Sequence, residues 1–282
     1  MAINLSASVN EKLVASLLTK LRKQLVFGAT TDGKYVSGLK RGSSYKIPTI
    51  DAVNVGTYTG AAITRQSGTD TGTNLLIDQY KYFDVALDAV DANEAEAKLA
   101  DFIDEGAYAL ADTFDQYIAS KLVAGAGTTN ADVAGIGVDG TPITVDETNV
   151  IDYIGLLVQG LHEANASIAN SAIVLPAKQA IALQNARGTG GSDMGAGELK
   201  TGMVDKLYGV DIYTSNNCHA GSTSGTAALA YERRALKWLD SMNDMIIYQP
   251  DETFENAAKT LHVYGAVVPA TLADAVVLGY VA

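Results

Sequence analysis

Residues 75–91, LLIDQYKYFDVALDAVD, run almost directly into residues 93–124, NEAEAKLADFIDEGAYALADTFDQYIASKLVA. In the first stretch Phe83, Val85 and Leu87 alternate with Asp84 and Asp88, the period of two that a half-buried strand imposes. In the second, Leu99, Phe102, Ile103, Leu110, Phe114, Tyr117 and Ile118 recur at steps of three and four, with Asp101, Asp104, Glu105, Asp112 and Asp115 filling the other side. That is the pattern of an amphipathic helix with one apolar stripe. Asp91 and Glu94 predict a reciprocal N-cap, Glu96 adds favourable charge at the positive end of the dipole, and Gly125 predicts the stop. At about 1.5 Å per residue such a helix spans roughly 48 Å, longer than most globular helices need.

Outward from this stretch, composition sets the bounds. The 282 residues are 48% hydrophobic, with mean hydropathy +0.09, enough to bury a sizeable core in one or two domains. No apolar run reaches the roughly 18 residues of a membrane helix, and MAINLSASVNEKLV has neither the basic start nor the apolar centre of a signal peptide, so synthesis in a cytoplasm is expected. Cys218, the only cysteine, leaves no intrachain disulfide, and stability must come from packing and assembly. Net charge is −12, which argues against a basic nucleic-acid-binding face. The charge is lopsided, however: residues 1–46 carry net +6 and the remainder −18.

Residues 10–27 read as a short amphipathic helix, with Leu13, Leu17 and Leu21 on one stripe and lysines opposite. After the Gly/Ser/Thr-rich 28–44, KIPTIDAVNVGTYT predicts a strand carrying Ile47, Val53 and Val55, confined by Pro48 to an edge. With the strand at 75–91 and the polar tip TRQSGTDTGTN it makes a hairpin, which is marginal in water unless it leans on another chain. Beyond the long helix, 128–142 is a Gly/Asp/Thr connector and 149–248 alternates helix and strand. Asn149 is the expected cap of one helix, and Pro176 fits the first turn of the next. The strands MIIYQ, KTLHVYGAVV and DAVVLGYVA close the chain and are expected to return to the long helix.

No constellation for catalysis stands out. His162, His219 and His262 lack ligand spacing, and Cys218-His219 adjacency does not aim a base at a thiol. GTGGSDMGAGELKTG (188–202) lacks the G-K-[ST] end of a phosphate loop, and Ser43 to Lys46 matches S-x-x-K without its companion motifs. No catalytic residue, metal or cofactor is therefore expected.

Four phrases, taken together, resemble the major capsid proteins of tailed double-stranded DNA bacteriophages, whose fold is shared with encapsulins and the herpesvirus capsid floor. IDQYKYFDVALDAVD (77–91) is similar to the phrase that precedes that family's spine helix. NVIDYIGLLVQGLHEANASIANSAIVLPAKQAIAL (149–183) resembles the helix, turn, buried strand and Pro-initiated helix of its axial domain. YGVDIYTSNN (208–217) and LHVYGAVVPATLADAVVL (261–278) follow in the expected order. The resemblance implies an α+β capsid fold: N-terminal arm 1–33, extended β-hairpin loop 34–84, peripheral domain 85–130 with 245–282 and spine helix 93–124, and axial domain 131–244. It implies a non-enzymatic shell subunit forming hexamers and pentamers of an icosahedral capsid around double-stranded DNA, located in the virion and assembled in the host cytoplasm. Expected partners are its own copies, a portal protein, a decoration protein in some shells, and a separate scaffolding protein, since Met1 lies only some ten residues before the arm helix. DNA is enclosed without sequence-specific binding. The alternatives are an encapsulin-like compartment shell and a cytosolic α+β enzyme. For contacts between subunits, the charge asymmetry nominates Lys34, Lys40, Arg41 and Lys46 against Asp101, Asp104, Glu105, Asp112 and Asp115 of a neighbour.

Overall fold

The computed structural model describes residues 26–36, 39–40, 42–48, 55, 57, 72–88, 92–189, 203–242, 245–250 and 255–282. A single helical turn, Phe27–Thr30, leads into β1 (Asp32–Tyr35), the hairpin strands β2 (Ser44–Ile47) and β3 (Thr73–Leu76), then β4 (Gln79–Asp88) and the spine, α1 (Ala92–Gly125). Next come α2 (Val150–Glu163), β5 (Ser171–Leu175), α3 (Ala177–Thr189), β6 (Met203–Leu207), β7 (Val210–Thr214) and β8 (Thr226–Glu232). The chain closes through β9 (Lys237–Met242), β10 (Ile246–Tyr248), β11 (Glu255–Val267) and β12 (Val276–Val281). The 34 residues of α1 match the expected spine to within a residue at each end. The Asp91 cap lies outside the described residues.

The stretch that reads as one strand is two. Ile77 and Asp78 break it, so that β3 pairs with β2 while β4 pairs along ten residues of β11. The break is held by Asp78, whose Oδ1 accepts the Tyr117 hydroxyl at 2.7 Å and whose Oδ2 lies 3.4 Å from Lys121 Nζ, both on α1. The first hairpin strand is also earlier than expected. It ends at Ile47, before Pro48, which has no N–H to donate to a ladder, and Val55 is fully exposed; Val53 lies outside the described residues.

Two five-stranded sheets flank the spine. The first runs β1-β9-β11-β10, with β4 on the other edge of β11; the second runs β12-β8-β5-β7-β6. Strand β12 returns to the spine as expected, through Val276 and Leu278, but it does so as the edge of the second sheet, paired with β8, whereas β9, inside the stretch 131–244, lies in the first sheet. The burial pattern explains this. Strands β5, β8 and β12 are buried at nearly every position, so both faces of the second sheet need cover. Val174, Leu229, Tyr231, Val276 and Leu278 pack with Leu110, Phe114, Ile118 and Leu122 of the spine. Ile173, Leu175, Ala228, Ala230 and Val277 face Ile154, Leu157 and Leu161 of α2. A solvated closing strand reading VVLGYV would leave one of those faces wet.

Asn149 does not cap α2. It makes no side-chain cap bond, and its Oδ1 accepts the Asp146 amide at 2.9 Å while its Nδ2 donates to Thr144 O.

Candidate assembly surface

The hairpin stands on the first sheet through a small apolar seat in which Leu39, Leu75 and Ile77 cover Val263. Its fit depends on Gly265: a Cβ there would lie 2.2 Å from Leu76 O and 3.0 Å from Ile77 Cα. Asp78 then ties the crossing to α1, so the hairpin leaves the body at a fixed place. A groove of about 310 Å³ opens between β1 and β2, floored by Ile47, Leu75, Trp238 and Leu239 and rimmed by Lys34, Lys46 and Lys237. Trp238 lies flat across Gly33, where any Cβ would meet its ring, and donates Nε1–H to Thr31 Oγ1 at 3.0 Å. Its other side meets Phe114 edge-on at 5.2 Å.

The nominated lysines divide accordingly. Lys34 and Lys46 are exposed and share the groove, Lys40 is exposed outside it, and Arg41 lies outside the described residues. Lys237, which pairs with Asp32, and Trp238 join them through the parallel pairing of β1 with β9. Sequence reading missed both, because nothing local in KWLDSM signals a partner some 200 residues away.

On the acidic side, Asp104 and Glu105 are exposed, and Asp112 is half-buried, accepting Gln116 Nε2 at 2.8 Å. Asp101 falls within α1, but its side chain lies outside the described residues. Asp115 departs from the expected acidic strip: it is 2% exposed. Its Oδ1 accepts the Phe27 amide at 2.8 Å and the Gly28 amide at 3.4 Å, and its Oδ2 accepts Asn217 Nδ2 at 3.1 Å. Burial pushes this carboxyl above its ordinary range, while the bonds from Asn217, Phe27 and Gly28 pull the other way. With its oxygens committed inside, it offers nothing to a neighbour. Phe102, expected in the apolar stripe, is 46% exposed.

Chemistry finds little purchase. Burial, with the Asp115 charge added, pushes the Cys218 thiol up to about 12, so it stays protonated and poorly nucleophilic. His262 is buried under Phe114, with its Nε2 3.5 Å from Asp240 Oδ2. Among the described residues no group of three His, Cys, Asp or Glu side chains is placed to hold a metal ion.

A family model described as phage capsid protein matches residues 72–278, from the start of β3 into β12. The fold is similar to a solved structure from Mycobacterium phage Che8 at 25% identity, covering 90% of both chains with a TM-score of 0.64. It is similar to the capsid of cyanophage P-SCSP1u at 17% identity, covering 93% of this chain and 89% of that one, with a TM-score of 0.71. A virus-like particle from Pyrococcus furiosus shares the fold at 13% identity and a TM-score of 0.53, covering 95% and 97%. A search among curated proteins finds no significant match.

Proposed function

Because this chain belongs to the phage capsid protein family and is a major capsid protein with a structural role in the virion shell, we propose how its parts are used. The shell is icosahedral, and its capsomers are hexamers and pentamers of this chain. The spine with the first sheet is the peripheral wall, the second sheet with α2 and α3 is the axial unit that meets its copies, and residues 1–33 and 34–84 reach to neighbours. The seat of the hairpin carries this reading. A two-stranded hairpin whose described strands are anchored at the base, through Leu75, Ile77 and Asp78, needs a surface from another chain to be stable.

The basic side chains Lys34, Lys40, Arg41 and Lys46 rest on the acidic outer face of a neighbouring spine, at Asp101, Asp104, Glu105 and Asp112. A separate scaffolding protein, a portal protein and a decoration protein act as partners, assembly takes place in the host cytoplasm, and the subunit catalyses no reaction. An acidic wall suits the enclosed DNA, since a basic one would hold it by counterion release. The encapsulin-like reading is not favoured: the family model is that of phage capsids, and the Pyrococcus likeness extends to the fold alone. Negative-stain microscopy of the full chain expressed with its scaffold tests the proposal. Closed polyhedral shells with two capsomer types are expected, and monomers under all assembly conditions would overturn it.

A further inference from the structure

Phe102 is 46% exposed, a large apolar side chain on a helix whose opposite face is sealed in the core. It stands in a row with Glu105, Ala109 and Gln116, all exposed, at successive steps of three, four and seven along α1. Residues 94–105 around it carry Glu94, Glu96, Asp101, Asp104 and Glu105 against Lys98 alone, so this is an apolar knob on an acidic stretch. The groove between β1 and β2 is the reverse in both respects. Ile47, Leu75 and half-buried Trp238 give it an apolar floor, and its rim sets Lys34, Lys46 and Lys237 against a single carboxylate, Asp32.

We propose that Phe102 of one subunit seats in the groove of a second copy, its ring on Trp238, with Glu105 turned to the rim lysines. The proposal rests on the shell reading and its contact of basic loop with acidic spine, to which it adds the anchoring side chain and its socket. The knob and the groove of one chain cannot meet. Phe114 packs against the inner side of Trp238 at 5.2 Å, and Phe102 lies twelve residues earlier, about 18 Å along the helix and about 120° around it. The occupant is therefore another copy. A groove of about 310 Å³ has room for one aromatic ring, and since knob and socket lie on different surfaces, the contact joins copies head to tail, as a closed ring of subunits requires. Exposed ion pairs give such a contact little affinity, whereas an aromatic side chain taken out of water in an apolar seat anchors it.

The test places the photoreactive p-benzoylphenylalanine at position 102 of the full chain, co-assembles light and ¹⁵N-labelled copies with the scaffold, and sequences the peptides linked on irradiation. Links to residues 32–34, 45–48 or 237–239 are expected, with mixed-isotope pairs among them. Links to other surfaces, or in single-isotope pairs only, overturn the proposal. Independently, Phe102→Ala should leave the melting temperature of the unassembled subunit unchanged and raise the concentration at which shells form about tenfold or more. Because the seat is apolar, that rise should persist at 1 M salt, where exposed pairs are screened. An unchanged threshold overturns the proposal. Shells in the microscope with links elsewhere would remove the seat and leave the shell reading standing, whereas monomers from the wild type would remove both.

Discussion

Asp139 accepts both the Ser222 amide, at 2.8 Å, and the Ser222 hydroxyl, joining the 128–142 connector to the loop before β8. Its other oxygen takes the amides of Thr223 at 2.9 Å and Ser224 at 3.0 Å. These donors, led by the Ser222 hydroxyl, hold the carboxyl well below its ordinary 3.8. A depressed carboxylate stabilises fully above its unfolded value and loses that contribution as pH falls through the folded one. Asp139→Ala should therefore melt a few degrees below wild type at neutral pH, and the gap should narrow once pH drops below 3.8. Paired melting curves across that range check it, and a constant gap would contradict it.

Replacing Asp115 removes the acceptor for the Phe27 and Gly28 amides and for Asn217. A buried donor left unpaired costs about 1–3 kcal/mol. Asp115→Ala should lower unfolding free energy by at least that much in urea titrations, and should speed proteolysis near Phe27 before global unfolding. Wild-type stability would show that the carboxylate is not needed to hold the arm.

Gly265→Val tests the hairpin seat. The clash is with Leu76 and Ile77 backbone, which no rotamer relieves. The variant should keep native far-ultraviolet circular dichroism, since β11 retains β4 and β9 as partners, yet fail to close shells. Normal particles in the microscope would show that the hairpin does not need its seat.

Assembly should weaken as salt rises, because the Debye length falls from about 10 Å at 0.1 M to about 3 Å at 1 M. Exposed pairs are individually worth about 0–1 kcal/mol, but each recurs at every copy of an interface. Shell yield against ionic strength, compared with Lys40→Glu/Arg41→Glu, measures this. Equal yields at every salt concentration would place the contact elsewhere.

The spine and β4 are legible because each follows a local periodicity: Phe83 and Val85 of β4 are half-buried between exposed Tyr82, Asp84 and Ala86, and Leu110, Phe114 and Ile118 of the spine are buried at steps of four. The two-residue break at Ile77 and Asp78 was not, since its cause is Tyr117 and Lys121, about 40 residues downstream. Nor was the burial of Asp115: on a helical wheel it belongs with Asp104 and Asp112, and only backbone amides arriving from Phe27 and Gly28 make an inward carboxylate tolerable. Strand β12 has the near-continuous apolar reading of a strand covered on both faces, so composition carried a signal for its place that the order of elements obscured.

The spine is gripped unevenly along its described residues. Ala107, Leu110, Phe114, Ile118 and Leu122 are sealed in the core between the two sheets, whereas none of residues 102–106 is fully buried: Ile103 is half-buried against the core, and the atoms nearest a Cβ at Gly106 belong to the Phe83 ring of β4. Mechanically this resembles a beam held more firmly along residues 107–122 than along 102–106. A bend imposed along the spine would then be taken up first over 102–106, where Phe83 of β4 can follow it, while the sealed length keeps its angles.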